Sequence, residues 1–187
     1  MKPCSFDEVQ TGVAASGKFW CHEHFGPQAR PDIVAFGKKM QVCGIIAGPR
    51  LDEVENHCFR VPSRINSTWG GNLVDMVRAG RILEVIEQDH LTQAAARIGD
   101  ALLGALGEAS QRFPSLVGNV RGRGLLCAFD LPDTAHRNRL ISEGLKRDVM
   151  FLGCGPRSIR FRPALILSEA DIEAGMAVMH EVLGEME

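Results

Sequence analysis

Two residues among the first forty have types and positions that could support catalysis. Asp7 closes the opening apolar segment, and Lys38 follows Gly37 at the end of the apolar run 33–36. Open α/β sheets bind ligands at the carboxyl ends of their strands, and both residues fall at such ends. This edge could hold a cofactor whose pyridinium nitrogen needs a carboxylate and whose aldehyde needs an amine. The adjacent Lys39 is the alternative amine.

Three other patterns offer chemistry but fit it poorly. The glycine and lysine spacing of residues 12–19 resembles a phosphate-binding loop, yet Phe19 stands where a magnesium-holding hydroxyl is needed. The Cys-His-Glu-His segment at 21–24 contains metal-ligand types, but adjacent side chains cannot all face one ion, and no second cluster completes a zinc site. Neighbouring strand residues point to opposite faces, so at most one of Asp7 and Glu8 serves a given site. We therefore expect no bound metal.

The hydrophobic pattern predicts an α/β chain of two units that positions these residues. Strands are predicted at 33–36, 42–47, 124–131, 149–152 and 158–167, and helices over 73–106 with a break near 89–90 and over 135–146. A closing helix should begin after Ser168, whose hydroxyl can cap it ahead of acidic residues. We place the boundary near residue 90, with an α/β unit at 1–90 and an α+β unit at 91–187.

Composition limits the classes of protein that the chain can represent. It has 187 residues, 45% of them hydrophobic, and a formal net charge of −2. Disorder is therefore excluded, and no basic surface for nucleic acid is indicated. No stretch approaches the roughly eighteen apolar residues that a membrane span needs. The sequence shows no export signal, so its six cysteines are expected to be reduced and mostly buried. A cytoplasmic protein without a nucleic-acid or membrane partner is expected.

Four segments follow one another in an order typical of a known enzyme family. They are residues 7–12 (DEVQTG), 31–39 (PDIVAFGKK), 67–72 (STWGGN) and 158–163 (SIRFRP). The chain resembles the class III pyridoxal-phosphate-dependent aminotransferases over essentially its whole length, but only the C-terminal part of theirs. Segments 41–44 (QVCG) and 61–72 (VPSRINSTWGGN) look most like the L-lysine 6-aminotransferase branch. Segments 17–20 (GKFW) and 153–155 (GCG) are also similar to 4-aminobutyrate aminotransferases.

The resemblance implies pyridoxal 5′-phosphate as cofactor and the C-terminal part of fold type I. Residues 1–90 would be the end of the large cofactor-binding α/β domain, and residues 91–187 the small α+β domain. Asp7 would pair with the pyridinium nitrogen, Val9 would pack on a ring face, and Gln10 would hydrogen-bond the phenolic oxygen. Lys38, preferred because it directly follows a glycine, would form the internal Schiff base and later shuttle a proton between substrate and cofactor.

The resemblance also assigns residues to the substrate and to a second subunit. Thr68 would reach the cofactor phosphate of the neighbouring subunit, which implies a homodimer with shared active sites; Ser67–Thr68 could also cap the helix that begins at residue 73. Asn66 would line the substrate pocket. Arg160 would clamp the substrate α-carboxylate with its two-pronged guanidinium. Arg162, on the same strand face, is more typical of a structural arginine.

The implied reaction belongs to lysine catabolism. The ε-amino group of L-lysine would pass to the cofactor and then to 2-oxoglutarate, giving glutamate and a 6-semialdehyde that cyclises. Two alternatives stay open: 4-aminobutyrate or another ω-amino acid as donor, and a non-catalytic folding or dimerising fragment. The family's phosphate loop, ring-stacking aromatic, gating glutamate and most strands of the large-domain sheet lie upstream of the matched part, so we expect an N-terminally truncated chain. A sheet without those strands would expose an edge and an apolar face, and the chain alone is expected to be marginally stable, aggregation-prone or dependent on a partner.

Overall fold

The computed structural model describes residues 4–65 and 68–187. The chain divides into two compact units by its internal contacts. The first unit contains the residues up to Ala14 together with Lys18–Leu91, and the second contains Ala15–Gly17 together with Thr92–Glu187. Within the described ranges, no helix has the length and the hydropathy that crossing a membrane would require.

The first unit contains a three-stranded sheet in the order β1-β2-β3. The strands are β1 (Ser5–Asp7), β2 (Ile33–Phe36) and β3 (Gly44–Ala47). β1 runs parallel to β2, and β3 runs antiparallel to it. Short 3-10 helices cover Cys21–Phe25, Pro27–Ala29, Lys38–Met40 and Pro49–Glu53. The predicted strands at 33–36 and 42–47 are confirmed, the second of them two residues shorter at its start.

The first unit also contains helix α1 (Leu73–Gln88). The side-chain oxygen of Asn72 accepts a hydrogen bond from the N–H of Val74 at 2.9 Å and thereby caps the helix. Thr68 therefore does not cap this helix, contrary to the alternative prediction, and Ser67 lies outside the described residues. The apolar side chains of α1 are largely uncovered within the described chain, since Leu73 and Val77 are 80% and 74% exposed. The predicted break at 89–90 separates α1 from the next helix.

The second unit packs three helices with a four-stranded antiparallel sheet of order β4-β5-β7-β6. The helices are α2 (Leu91–Arg112, from Thr92 onward in this unit), α3 (Thr134–Leu145) and α4 (Glu169–Gly184), and the strands are β4 (Gly118–Arg123), β5 (Leu126–Asp130), β6 (Leu152–Cys154) and β7 (Ser158–Phe161). α4 begins as predicted. The Ser168 hydroxyl accepts a hydrogen bond from the N–H of Asp171 at 3.2 Å, and the Asp171 carboxylate accepts one from the N–H of Ser168 at 2.9 Å.

The core of the second unit joins every one of these layers. Its fully buried side chains include Leu106 of α2, Phe129 of β5, Leu140 of α3, Ile159 of β7 and Met179 of α4. They alternate with less buried residues at a period of two in the strands and recur at a period near 3.6 in the helices, which is why the hydrophobic pattern revealed most of the elements.

Three strand predictions in the second unit need correction. The predicted strand at 124–131 is β5 alone, and the unpredicted β4 precedes it, because its sequence GNVRGR offers little apolar alternation. The predicted strand at 158–167 ends at Phe161, two residues before Pro163, which cannot donate to a ladder. The apolar run 149–152 lies mostly ahead of β6; its Phe151 is buried without strand pairing.

The cysteines differ from expectation in their burial. All six are free thiols. Only Cys127 is buried, whereas Cys4, Cys43 and Cys154 are exposed. The prediction that these residues are mostly buried is therefore wrong, because the apolar segments around them include loops and sheet edges rather than core strands alone.

Candidate functional site

Asp7 and Lys38 lie at the same edge of the first unit's sheet. Asp7 is the last residue of β1 and pairs with Ala35 of the parallel strand β2, three residues before Lys38. The N–H of Glu8 donates to the carbonyl oxygen of Ala35 at 2.9 Å and extends the strand pairing by one bond. Because the two strands are parallel, their carboxyl ends meet at one edge, which is where such sheets bind ligands.

The Asp7 carboxylate has a fixed orientation. One of its oxygens, Oδ1, accepts a hydrogen bond from the backbone N–H of Val9 at 3.0 Å, in a turn typical of aspartate. Among the residues that the structure describes, its other oxygen, Oδ2, accepts no hydrogen bond, and the side chain is exposed. Oδ1 therefore orients the carboxylate, and Oδ2 can accept a hydrogen bond from a ligand.

Lys38 occupies a strained position in the backbone. Its φ is +41°, in the left-handed region that residues other than glycine seldom adopt. Its carbonyl oxygen accepts hydrogen bonds from the backbone N–H of Gln41 at 2.9 Å and from the side-chain Nε2 of Gln41 at 3.0 Å, which stabilise the turn. The Lys38 side chain is exposed, and its amine pairs with no described residue.

Gly37, which directly precedes this lysine, packs closely against Val9. A Cβ on residue 37 would lie 3.3 Å from the Val9 Cγ1 and 3.0 Å from the Cys43 Sγ, both tighter than ordinary contacts. The glycine backbone is extended, with a φ of 177°, so it is the lack of a side chain that matters here. The structure thereby brings Asp7, Val9 and Lys38 into one neighbourhood.

The alternative amine, Lys39, has a different environment. It is half-buried and engaged in an interaction with the rest of the chain, whereas Lys38 is exposed. A lysine that must react with a ligand needs an accessible amine. The surroundings of the two residues therefore favour Lys38.

Glu8 belongs to the same segment but faces the interior. It is 2% exposed, and its carboxylate accepts hydrogen bonds from the backbone N–H groups of Cys21 and His22, both at 2.8 Å. It also accepts one from the Thr11 hydroxyl at 3.1 Å and contacts His22 Nδ1 at 2.9 Å. The expected opposite orientation of residues 7 and 8 is confirmed. Sequence reasoning missed the role of Glu8, since its partners lie up to fourteen residues away.

The remaining site candidates of the first unit are less closely placed. Thr68 is exposed in the turn that precedes α1 and shares no hydrogen bond with another described candidate residue. Gln10 is half-buried in the turn that follows Val9. Asn66, predicted to line the substrate pocket, lies outside the described residues. The side chains at 21–24 form no group of metal ligands within the described chain, and His22 is held by Glu8.

Arg160 lies in the second unit on strand β7, opposite Ala128 of β5 and Leu152 of β6. It is half-buried, and its Nε is enclosed without a hydrogen-bond partner in the part of the chain that the structure describes. A buried guanidinium donor without an acceptor is unfavourable, and a carboxylate is the group that best satisfies it. Arg162, on the same strand face, is exposed beyond the end of β7.

Two other arginines near β7 show what a structural role looks like in this fold. Arg121 Nη1 lies 3.0 Å from Asp130 Oδ1, and Arg157 Nε lies 3.7 Å from Asp130 Oδ2. The Ser158 hydroxyl also donates to Asp130 Oδ1 at 2.6 Å, and the hydrogen bonds from Ser158, Asn119 and Arg121 lower the pKa of Asp130 to about 2. Arg121 and Arg157 thus pair with a carboxylate of the chain, whereas the Nε of Arg160 has no acceptor among the described residues.

The family profile of class-III aminotransferases matches residues 5–183. This chain belongs to the class-III aminotransferases. The L-lysine-epsilon aminotransferase of Mycobacterium tuberculosis (strain H37Rv) is 52% identical over 178 residues, which are 95% of this chain and 39% of that protein. The mitochondrial 4-aminobutyrate aminotransferase of Sus scrofa is 36% identical over 97% of this chain and 36% of its own length. The chain thus spans less than two fifths of these curated relatives.

A solved structure shows the same fold. The lysine aminotransferase of M. tuberculosis in the internal aldimine form superimposes with a TM-score of 0.92 at 50% identity and covers 98% of this chain and 42% of its own. The predicted α/β fold of the pyridoxal-phosphate-dependent aminotransferases is therefore confirmed for the described residues. The family resemblance drawn from the four ordered segments is confirmed as well.

Proposed function

We propose that this class-III aminotransferase transfers the ε-amino group of L-lysine to 2-oxoglutarate, giving glutamate and a 6-semialdehyde that cyclises. The observation that carries the proposal is the placement of the Asp7 carboxylate and the Lys38 amine at one edge of parallel strands. The 52% identity to a protein named L-lysine-epsilon aminotransferase favours lysine as the amino donor over 4-aminobutyrate, for which the corresponding relative is 36% identical.

The described residues fit pyridoxal 5′-phosphate as the cofactor. Asp7 has one carboxylate oxygen without a partner in the described chain, so it can accept a hydrogen bond from a protonated pyridinium nitrogen. The exposed amine of Lys38 can react with an aldehyde, and Val9 offers an apolar surface beside it. Gln10 would hydrogen-bond the phenolic oxygen, and Thr68 would bind the phosphate. When bound, the cofactor supplies an electron sink that stabilises negative charge on the substrate carbon.

Two residues of the chain would have different roles: Asp7 would hold the cofactor ring, and Lys38 would transfer a proton. Asp7 keeps the ring nitrogen protonated, because an anionic oxygen beside that nitrogen stabilises its positive charge. Lys38 would accept the proton from the substrate carbon and return it at the cofactor's aldehyde carbon. The hydrogen bonds of the turn at residues 38–41 hold the backbone from which this side chain projects.

The substrate carboxylate is assigned to Arg160, and Asn66 would line the same pocket. A guanidinium engages both oxygens of a carboxylate at once, and the Nε of Arg160 lacks an acceptor among the described residues. L-Lysine and 2-oxoglutarate both carry an α-carboxylate, so one arginine can serve both halves of the exchange.

The proposal includes a homodimer with shared active sites. Exposed apolar side chains cluster before and along the start of α1, including Trp69 at 75% exposed and Leu73 at 80%. An apolar surface of this kind is typical of one that another part of a protein covers. Within this frame, residues 1–90 are the end of the large cofactor-binding domain and residues 91–187 form the small C-terminal domain.

Cofactor titration tests the proposal directly. Adding pyridoxal phosphate to the purified chain should produce the visible absorbance of a lysine adduct, and Lys38→Ala should abolish it. Lys39→Ala is the matched control and should retain it. An adduct that disappears in Lys39→Ala instead would refute the assignment of Lys38, and no adduct in the unsubstituted chain would support the non-catalytic fragment.

The amino donor is tested separately. L-Lysine should discharge the visible absorbance of the loaded protein, with the amino group appearing on 2-oxoglutarate as glutamate. Discharge by 4-aminobutyrate alone would replace lysine with a shorter ω-amino acid. Both donors carry one carboxylate and differ in chain length and in the α-amino group of lysine, so the comparison reports on the length and polarity of the substrate pocket.

A further inference from the structure

The buried carboxylate of Glu8 has no role in the proposed chemistry, yet it is the most densely hydrogen-bonded acidic group of the first unit's described residues. Oε1 accepts from the N–H of His22 at 2.8 Å and contacts His22 Nδ1 at 2.9 Å. Oε2 accepts from the N–H of Cys21 at 2.8 Å and from the Thr11 hydroxyl at 3.1 Å. A carboxylate is unfavourable in the interior unless its oxygens are satisfied, and here four contacts satisfy both.

These contacts connect two separate parts of the first unit. Cys21 and His22 begin the short helix Cys21–Phe25, whereas Glu8 directly follows strand β1. His22 is itself well enclosed, with 13% of its side chain exposed and its ring centroid 6.0 Å from that of Phe6. The pair therefore joins the end of β1 to the Cys21–Phe25 helix through a carboxylate and an imidazole that are both shielded from water.

The residues on either side of Glu8 are the ones assigned to the cofactor. Asp7 precedes it, and Val9, which follows, donates its N–H to the Asp7 carboxylate at 3.0 Å. The backbone N–H of Glu8 pairs with Ala35 of β2. The backbone of Glu8 is thus fixed by its hydrogen bond to β2, and its side chain is fixed by the hydrogen bonds that its carboxylate accepts from Cys21 and His22. A displacement of Glu8 would be transmitted through single peptide bonds to both neighbours.

Asp7, Glu8 and His22 also line one cavity of about 250 Å³, together with Phe6 and Phe25. On the side of this cavity, Glu8 and His22 are held by their hydrogen bonds rather than by close packing. The hydrogen bonds of Glu8 therefore add to the pairing of β1 with β2 in holding the segment that carries Asp7.

We propose that Glu8 and His22 form a positioning pair that holds the Asp7–Val9 turn in the geometry needed to bind the cofactor's ring nitrogen. The proposal rests on the proposed function, because it assigns the pair to the placement of the proposed cofactor ligand. Glu8 and His22 are positioning residues, since neither is assigned a contact with substrate or cofactor. The pair acts through the Val9–Asp7 hydrogen bond, which can be measured without any cofactor.

Three variants separate the contributions of the pair. Glu8→Gln replaces two acceptor oxygens by one oxygen and an amide that can only donate, so at least one N–H loses its acceptor. His22→Leu removes the Nδ1 contact and leaves the backbone contacts. His22→Asn retains a side-chain nitrogen that can donate to Glu8 and should rescue the loss. Glu23→Gln is the matched control, because the Glu23 carboxylate accepts the N–H of Trp20 at 2.7 Å on the same short helix but is exposed.

The first readout is the amide hydrogen exchange of Val9 in the cofactor-free chain, followed by NMR. Exchange should accelerate about tenfold or more in Glu8→Gln and His22→Leu, because losing a hydrogen bond to a charged group opens the turn more often. His22→Asn and Glu23→Gln should keep the Val9 exchange of the unsubstituted chain. Unchanged exchange of Val9 in both Glu8→Gln and His22→Leu would overturn the proposal, whatever happens to the cofactor.

The second readout is pyridoxal phosphate binding, measured as affinity and as the pH dependence of the visible absorbance. Faster Val9 exchange should be accompanied by about tenfold weaker pyridoxal phosphate binding and an altered pH dependence of the absorbance. A general loss of stability would lower the folded fraction but would not change the pH dependence of the protein that stays folded. Faster exchange with unchanged binding would reduce the pair to a structural role. If the unsubstituted chain binds no cofactor, the proposed function fails, and Val9 exchange alone decides whether the pair holds the turn.

Discussion

Gly37 and Cys43 pack so closely that a Cβ on residue 37 would lie 3.0 Å from the Cys43 Sγ. The same added atom would lie 3.3 Å from the Val9 Cγ1. The residue before the proposed reactive lysine is therefore enclosed by one side chain from the loop before β3 and by one from the turn after β1. This contact links the position of Lys38 to the turn that holds Asp7.

Gly37→Ala should weaken pyridoxal phosphate binding by about tenfold, because the new methyl group must displace Val9 or Cys43. Removing the Sγ in Gly37→Ala/Cys43→Ala should restore part of the affinity. Gly48→Ala is the control, since its Cβ would meet only the Asp32 carbonyl oxygen at an ordinary 3.5 Å. Absorbance titration measures all three. Equal binding by Gly37→Ala and the unsubstituted chain would show that the loop yields without effect on the site.

Arg160→Lys should raise the KM for the carboxylate substrates by roughly 10- to 100-fold, because a lysine cannot replace a two-pronged contact with a carboxylate. Arg162→Lys is the matched control two residues away on the same strand face. Its side chain is exposed beyond the end of β7, so its KM should change less than about twofold. Steady-state kinetics with L-lysine and 2-oxoglutarate measure the difference. A larger effect of Arg162→Lys would exchange the roles of the two arginines.

Gly124→Ala should destabilise the second unit by about 2–5 kcal/mol. The residue has a φ of +56°, and a Cβ there would lie 2.3 Å from the carbonyl carbon of Ser16. Next to it, the N–H of Leu125 donates to the carbonyl oxygen of Ala15 at 3.0 Å, so the backbones of two segments touch at this point.

Gly107→Ala provides the opposite expectation for the same chemical change. Gly107 lies inside α2, and nothing stands within 4 Å of the Cβ it would gain. Alanine should therefore stabilise the unit by about 0.5–1 kcal/mol through its helix propensity. Urea denaturation of both variants checks the pair of predictions. Destabilisation of equal size in the two variants would contradict the close backbone approach at residue 124.

The sequence predicts the elements whose pattern is local. β2 was expected from an apolar run between a proline and a glycine, α4 from the Ser168 cap and its helical period, and the break at 89–90 from polar residues between two periodic stretches. β4 is not predicted by the sequence, because its arginines and glycines lack apolar alternation. It becomes a strand only by pairing with β5. Pairing partners across the chain cannot be read from a short window of sequence.

The same distinction applies to the candidate site. Asp7 and Lys38 could be singled out because each follows a strand, and the ordered segments indicated the family. The burial of Glu8 could not be foreseen from its neighbours, since it depends on N–H groups at residues 21 and 22. Nor could the sequence show that Arg157 contacts a carboxylate of the chain, because this depends on the position of Asp130 in the fold.

Asp130 should make the second unit sensitive to acid. The Ser158 hydroxyl, the Asn119 amide and Arg121 hydrogen-bond its carboxylate and lower its pKa from the ordinary 3.8 to about 2. The folded chain therefore binds this proton less readily than the unfolded chain does. The resulting stability is fully present above the unfolded pKa and is lost as the pH falls through the folded pKa, between about pH 4 and about pH 2.

Asp130→Asn should lower the free energy of unfolding by about 1–3 kcal/mol at neutral pH and remove part of the acid dependence, because a neutral amide cannot attract the arginines and does not titrate. Urea midpoints at about pH 6 and about pH 3 measure both effects. Asp148→Asn is the control, since Asp148 is exposed and its φ of +61° suits asparagine. If the unsubstituted chain and Asp130→Asn lose equal stability between these pH values, the acid sensitivity must come from other carboxylates, and the hydrogen bonds of Asp130 join β4, β5 and β7 without contributing to it.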